Sequence, residues 1–160
     1  MKFIADAMLG KLAKRMRLLG LDVLYDPELD DNDIIRLSME QDRAILTRDT
    51  GLAARPLAGN HLYIKSEHVR EQLDQVLAAF PEEQLPFTRC SECNEPVIPV
   101  AKEDVEDFVP RYVYEKNTEF LRCPKCGRIY WQGTHVKRMA LQKKKEPANK
   151  DRLSKNLKGL

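Results

Sequence analysis

Two short turns hold every cysteine of this 160-residue chain: Arg89-Cys90-Ser91-Glu92-Cys93-Asn94 and Arg122-Cys123-Pro124-Lys125-Cys126-Gly127. Two matched Cys-x-x-Cys pairs supply four thiolates, the number a closed tetrahedral zinc site needs. A dithiol redox pair is the competing reading, but exchange chemistry has no use for a second matched pair. With sulfur at all four positions, Cys90, Cys93, Cys123 and Cys126 are expected to hold a structural zinc and not a catalytic one. Gly127 permits a tight second turn. Short aromatic or β-branched runs at 97–100, 112–114 and 128–131, with few helix signals between them, predict a small β-rich unit stapled by the metal.

The chain before residue 81 has no cysteine and a different grammar. Phe3, Ala5 and Ala7 alternate around Ile4 in a first strand that delivers Asp6 to the start of a helix. In that helix Leu9, Leu12, Ala13, Met16 and Leu19 form one apolar stripe, while Lys11, Lys14 and Arg15 share the opposite face, and Gly20 ends it as a left-handed cap would. Residues 21–25 read as a second strand stopped by Asp26 and Pro27. A helix follows with Asp31 at or near its N-cap and Ile34, Ile35, Leu37, Ser38 and Met39 on its buried side. Residues 44–47 make a third strand ending in Thr47-Arg48-Asp49, and 52–57 a short helix constrained by Pro56. Residues 61–65 make a fourth strand, after which Ser66 or Glu67 caps a helix over 68–80. Strands alternating with helices imply right-handed crossovers, hence an α/β fold with a three-layer parallel sheet. The proline-bounded stretch 81–86 reads as a connector.

If the strands are parallel, Asp6, Asp26, Asp31 and Asp49 gather at the carboxyl edge of the sheet, where ligands of open α/β folds bind. Carboxylates crowded there repel one another unless a cation neutralises them, and magnesium or manganese takes such oxygen ligands while keeping water. Metal-assisted phosphodiester cleavage by an activated water is the reaction class this suggests. Lys11, Lys14, Arg15 and Arg48 stand near enough in sequence to hold a substrate backbone. Each acid also has a purely structural reading: Asp6 beside a helix start, Asp31 as a cap, Asp49 in an Asx turn before Gly51, and Asp26 as a solvated loop residue. A second acid two residues after Asp6 and a Gly-rich phosphate loop are both missing, which removes two common phosphate chemistries.

Charge is uneven along the chain. From Lys137 to the end there are nine basic and two acidic residues, a net +7, against 18 basic and 23 acidic residues, a net −5, before it. An acidic body with a basic tail suggests a polyanionic partner, although a solvated charge run reads the same way. No apolar run approaches bilayer length, and the charged N-terminus lacks the core of a secretion signal, so a cytoplasmic location without a membrane partner is expected.

Taken together, Phe3-Ile4-Ala5-Asp6-Ala7-Met8-Leu9-Gly10-Lys11-Leu12-Ala13, Ile45-Leu46-Thr47-Arg48-Asp49 and the paired cysteines leading into Tyr130-Trp131-Gln132-Gly133-Thr134-His135 resemble the Mut-seven C-terminal RNase family. The resemblance runs to about Met139 and leaves the basic tail outside. It implies a PIN-like nuclease domain at 1–82 and a zinc ribbon at 87–139, while the low apolar content of the basic tail at 140–160 predicts that it is mobile unless a partner orders it. The resemblance further implies divalent-metal-dependent endoribonuclease activity with Asp6, Asp31 and Asp49 as acidic ligands. A clear fourth acid is missing, and Glu67 is the best-placed candidate. His135 is either a satisfied histidine or a phosphate contact, and Arg89, Arg122, Lys125, Arg128 and Trp131 are available for backbone or stacking contacts with RNA. The alternatives from other classes are a non-catalytic RNA-binding module, for instance for tRNA or rRNA, and a protein-interaction domain whose basic tail meets an acidic partner.

Overall fold

Two strands of the first half are apolar along most of their length, and burial on both faces is the reason. In the computed structural model, which describes residues 1–81 and 85–132, β1 (Lys2–Ala5) and β3 (Arg43–Thr47) are the central strands of a parallel sheet ordered β2-β1-β3-β4. β2 (Asp22–Leu24) and β4 (His61–Tyr63) are its edges. Alternation along the strands sends Phe3, Ala5, Val23, Ala44 and Leu46 to one side. There they meet Leu12, Ala13 and Met16 of α1 (Gly10–Leu18) and Leu73, Val76 and Leu77 of α4 (Val69–Ala79). Ile4 and Ile45 go to the other side, against Ile34 and Ile35 of α2 (Asp31–Gln41) and Leu52 of α3 (Thr50–Ala53). A one-residue slip of β1 would exchange these two sets, so the register is strongly specified.

Local chemistry sets the element ends, in places one or two residues away from expectation. A 3-10 turn (Ala7–Leu9) precedes α1, and Gly20, at φ 86, closes it in the left-handed conformation. A Cβ at Gly20 would collide with the Leu85 carbonyl, so the position demands glycine twice over. The second strand loses Leu21 because its N–H is spent on the Met16 carbonyl of the helix end. Asp30, and not Asp31, caps α2: its carboxylate accepts the Asp33 N–H at 2.9 Å. α3 starts at Thr50 because the Asp49 carboxylate caps it there, and it ends before Pro56 instead of running through it. Ser66 sits just outside α4, where its Oγ accepts the His68 N–H and donates to Glu71.

The cysteine-bearing half is a separate antiparallel sheet ordered β5-β6-β7, from β5 (Ile98–Val100), β6 (Phe120–Arg122) and β7 (Ile129–Tyr130). The run 112–114, expected as extended, is helical: a 3-10 stretch (Lys102–Phe108) and α5 (Arg111–Lys116) lie between β5 and β6. Val105, Val109 and Val113 pack with Phe120 into a small core of their own. No helix among the described residues is long and apolar enough to cross a membrane. The expected tail at 140–160 and His135 lie outside the described residues.

Candidate active site and metal centre

Asp6 follows β1 directly, and Asp49 stands two residues beyond β3, so neighbouring parallel strands deliver both to the same edge. Thr47, the last residue of β3 and wholly buried, joins them. Its Oγ1 donates to Asp6 Oδ2 at 2.7 Å and accepts the Asp49 N–H at 2.9 Å. Asp6 is only 7% exposed, and its Oδ1 accepts the Ala7 N–H at 2.6 Å, so this carboxylate is buried with both oxygens satisfied. Asp49 turns Oδ1 into the start of α3, accepting from Gly51 at 2.6 Å and Leu52 at 3.1 Å. Thr47 was missing from the residues singled out in the sequence. The available signal was a hydroxyl at the end of an otherwise apolar central strand, where only a specific partner repays its burial.

Asp31 is placed differently. It occupies the first turn of α2, and its Oδ2 pairs with Arg55 at 3.0 Å, whose guanidinium also donates to Asn32 at 2.7 Å. Asp26 is exposed, as the solvated loop residue of its structural reading would be, and its Oδ1 accepts the Glu28 N–H at 3.0 Å. Among the described residues, the one group of three or more His, Cys, Asp or Glu side chains close enough to hold a metal ion is the four cysteines; Asp6, Asp31 and Asp49 do not form another. Magnesium takes one or two carboxylates and fills its remaining positions with water and phosphate oxygens. Both Asp6 oxygens and Asp49 Oδ1 are taken by protein donors, and Asp31 is paired with Arg55.

The basic residues divide in the same way. Lys11 and Arg15 are exposed on α1 and have no ion pair among the described residues. Lys14, expected beside them as a substrate contact, is paired with Glu92 Oε2 at 2.8 Å. Arg48 donates to the Ser66 carbonyl at 2.5 Å and meets Glu67 at 3.2 Å, so it braces the loop after β4. Glu67, which is 84% exposed on its side chain, is thereby held near the end of β3. Arg89 is committed to the Asn94 carbonyl at 2.7 Å and to Asp22, and Arg122 lies over the Phe108 ring at 5.8 Å. Trp131 packs against the valine core of the antiparallel unit, as a core residue would.

The cysteines converge as expected. Their Sγ atoms all lie within 4.8 Å of one another, with Cys90 and Cys126 at 3.7 Å. Sulfurs about 2.3 Å from a tetrahedral zinc stand about 3.8 Å apart, so the four fit that ion. Both turns close on a left-handed residue directly after the second cysteine, Asn94 at φ 63 and Gly127 at φ 73. Tyr130 donates its hydroxyl to Cys90 Sγ at 3.0 Å and accepts the Ser91 N–H at 3.0 Å. Burial opposes ionisation of Cys90, but the hydrogen bonds from Tyr130 and from the Cys93 and Glu92 backbones overcome it and bring the thiol down to about 7. Desolvation, with Cys126 and Cys90 alongside, pushes half-buried Cys93 up to about 12, and burial also raises Cys123. A dication among the sulfurs removes the repulsion behind that split.

Compared with known families, residues 1–142 match the model described as the Mut7-C RNAse domain. No curated protein and no solved structure matches the chain.

Proposed function

The chain belongs to the Mut7-C RNAse domain family, and from that premise we propose that it is a divalent-metal-dependent endoribonuclease hydrolysing RNA phosphodiester bonds. Residues 1–82 would be the PIN-like nuclease domain and 87–139 a zinc ribbon that stabilises it. The observation carrying this reading is the Thr47 hydroxyl that joins the Asp6 carboxylate to the Asp49 backbone N–H, so that two acids follow neighbouring strands at the edge where ligands of parallel sheets bind. Asp6 and Asp49 would hold magnesium or manganese, which supplies Lewis acidity toward the phosphodiester and toward water. Lys11 and Arg15 would contact the RNA backbone. The Asp31–Arg55 pair is exposed on both sides, 37% and 41%, and such pairs are worth only about 0–1 kcal/mol. A cation or a phosphate arriving at this edge can therefore release Asp31 to serve as the third acid.

One observation favours a non-catalytic RNA-binding module instead: Asp31 is neutralised by Arg55 and does not join Asp6 and Asp49. A cleavage assay on structured and single-stranded RNAs with magnesium, manganese or chelator separates the two. Cleavage should require the ion, and Asp6→Asn and Asp49→Asn should each lower it by about 10²-fold or more, in the range of lost transition-state stabilisers, while RNA affinity persists. Both variants cleaving like wild type would sink the nuclease reading. Salt-sensitive RNA binding without any cleavage would establish the binding module.

A further inference from the structure

Arg17 breaks the pattern of its helix. Lys11, Lys14 and Arg15 face solvent, whereas Arg17 is 3% exposed on the buried side of α1. Its Nε donates to the Val23 carbonyl at 2.9 Å, and its Nη1 donates to the carbonyls of Ser91 at 3.0 Å and Glu92 at 2.8 Å. Ser91 and Glu92 are the two residues between Cys90 and Cys93. A side chain of the parallel-sheet unit thus reaches into the first cysteine turn of the other unit.

Burying a guanidinium against backbone carbonyls is expensive, because carbonyl dipoles do not replace a counter-charge. Burial pulls the Arg17 pKa down, and the groups opposing that pull are Cys90, Glu92, Cys93 and Asp22. Two of the four are cysteines of the metal-binding set. Zinc with four thiolates carries a net charge of about −2, taking the ion at +2 and each sulfur at −1. Two neighbouring cations are already committed elsewhere, because Arg89 and Arg43 both pair with Asp22.

We propose that Arg17 is the counter-ion of the four-cysteine zinc centre, supplied by the parallel-sheet unit, so that zinc binding and the docking of the two units stabilise each other. The remaining contacts of the seam concentrate on the same turn. Asn94 donates to Asp22 at 2.9 Å and accepts the Val23 N–H at 3.1 Å, Glu92 takes Lys14, and the Phe87 N–H donates to the Leu18 carbonyl at 3.0 Å. One short segment is therefore both ligand loop and docking surface. Coupling is reciprocal: the factor by which docking raises zinc affinity is the factor by which zinc tightens docking. This inference holds whether or not the protein cleaves RNA.

Zinc release from the full chain to a chromogenic chelator tests it. Arg17→Gln keeps donors but removes the charge and should release zinc roughly ten- to a hundredfold faster, the range for outer-shell partners of metal ligands. Arg17→Lys keeps the charge and loses the fork, and should fall between Arg17→Gln and wild type. Release from Arg17→Gln at the wild-type rate would overturn the proposal. So would Arg17→Lys releasing as fast as Arg17→Gln, because carbonyl geometry would then be the whole effect. Should the variants not fold, hydrogen exchange on the wild-type chain decides. Amides of residues 12–19 should exchange faster after chelation, and unchanged exchange there refutes the coupling.

Discussion

The two clusters of this molecule solve the problem of gathering like charges in opposite ways. The four cysteines sit on two turns of identical design, each closed by a left-handed residue, and the pairing of the small antiparallel sheet brings the turns together so that the sulfurs lie within 4.8 Å of one another. The acids come from the ends of separate elements between residues 6 and 49, and a buried hydroxyl and the sheet register tie the Asp6 carboxylate to the Asp49 backbone. Each carboxylate is meanwhile satisfied by protein donors: Asp6 by Ala7 and Thr47, Asp49 by its own helix, Asp31 by Arg55. A closed four-thiolate site can be written into paired local motifs, whereas the proposed acidic site depends on tertiary structure.

The contrast breaks most visibly on the cysteine side. Changing Cys90 and Cys123 to serine should abolish the expected content of about one zinc per chain, and structural zinc sites contribute on the order of 10 kcal/mol or more to folding. Circular dichroism and metal analysis should show the antiparallel unit lost, and a fully folded, zinc-free variant would contradict the structural role. A smaller effect is expected at Thr47→Val, which keeps the shape of β3 and deletes the link between the acids. Leaving Asp6 Oδ2 buried without its donor should cost about 1–3 kcal/mol in denaturant unfolding, while zinc content stays unchanged.

Acid should probe the seam between the units. Burial opposes the charge on Asp22, but hydrogen bonds from Arg43 and Asn94 and the charges of Arg43 and Arg89 outweigh it, holding its carboxyl below the ordinary aspartate value. A carboxyl depressed by folding contributes stability that is complete above its unfolded pKa of about 3.9 and is lost as pH falls through the lower folded value. Thermal unfolding should therefore show this contribution intact at about pH 5 and declining below about pH 4, and Asp22→Asn should lack that decline. The smallest effect belongs to Arg55→Ala. Stability should change by no more than about 1 kcal/mol, yet the freed Asp31 should lower the manganese concentration needed for half-maximal cleavage. An unchanged requirement would remove Asp31 from the ion's shell.

Much of this architecture could be read from the chain because the signals are local. The apolar runs of β1 and β3, the stripe of α1, the glycines at 20 and 127 and the cysteine pairs are each fixed by a few neighbouring residues. What could not be read is partner choice. Lys14 and Lys11 look alike on one helix face, but only Lys14 meets Glu92, 78 positions later, and Arg48 resembles a phosphate contact until β4 brings Ser66 beneath it. Asp30 and Asp31 compete for one cap, and the difference between them is a backbone angle. The helical insert between β5 and β6 was masked by its β-branched and aromatic composition, and a valine at every fourth position fits a strand face as well as a helix face.

The grip on Val23 has one more consequence. β2 is an outer strand of the parallel sheet, and an outer strand ordinarily offers its free amides and carbonyls to any passing chain. Here Asn94 accepts the outward N–H of Val23 and Arg17 donates to its carbonyl, so two side chains occupy the places where a fifth strand would pair. The appended unit thus serves as a fender along that margin, and on the opposite margin the Gln75 amide does the same for β4, donating to the Tyr63 carbonyl at 2.7 Å and accepting the Lys65 N–H at 3.0 Å.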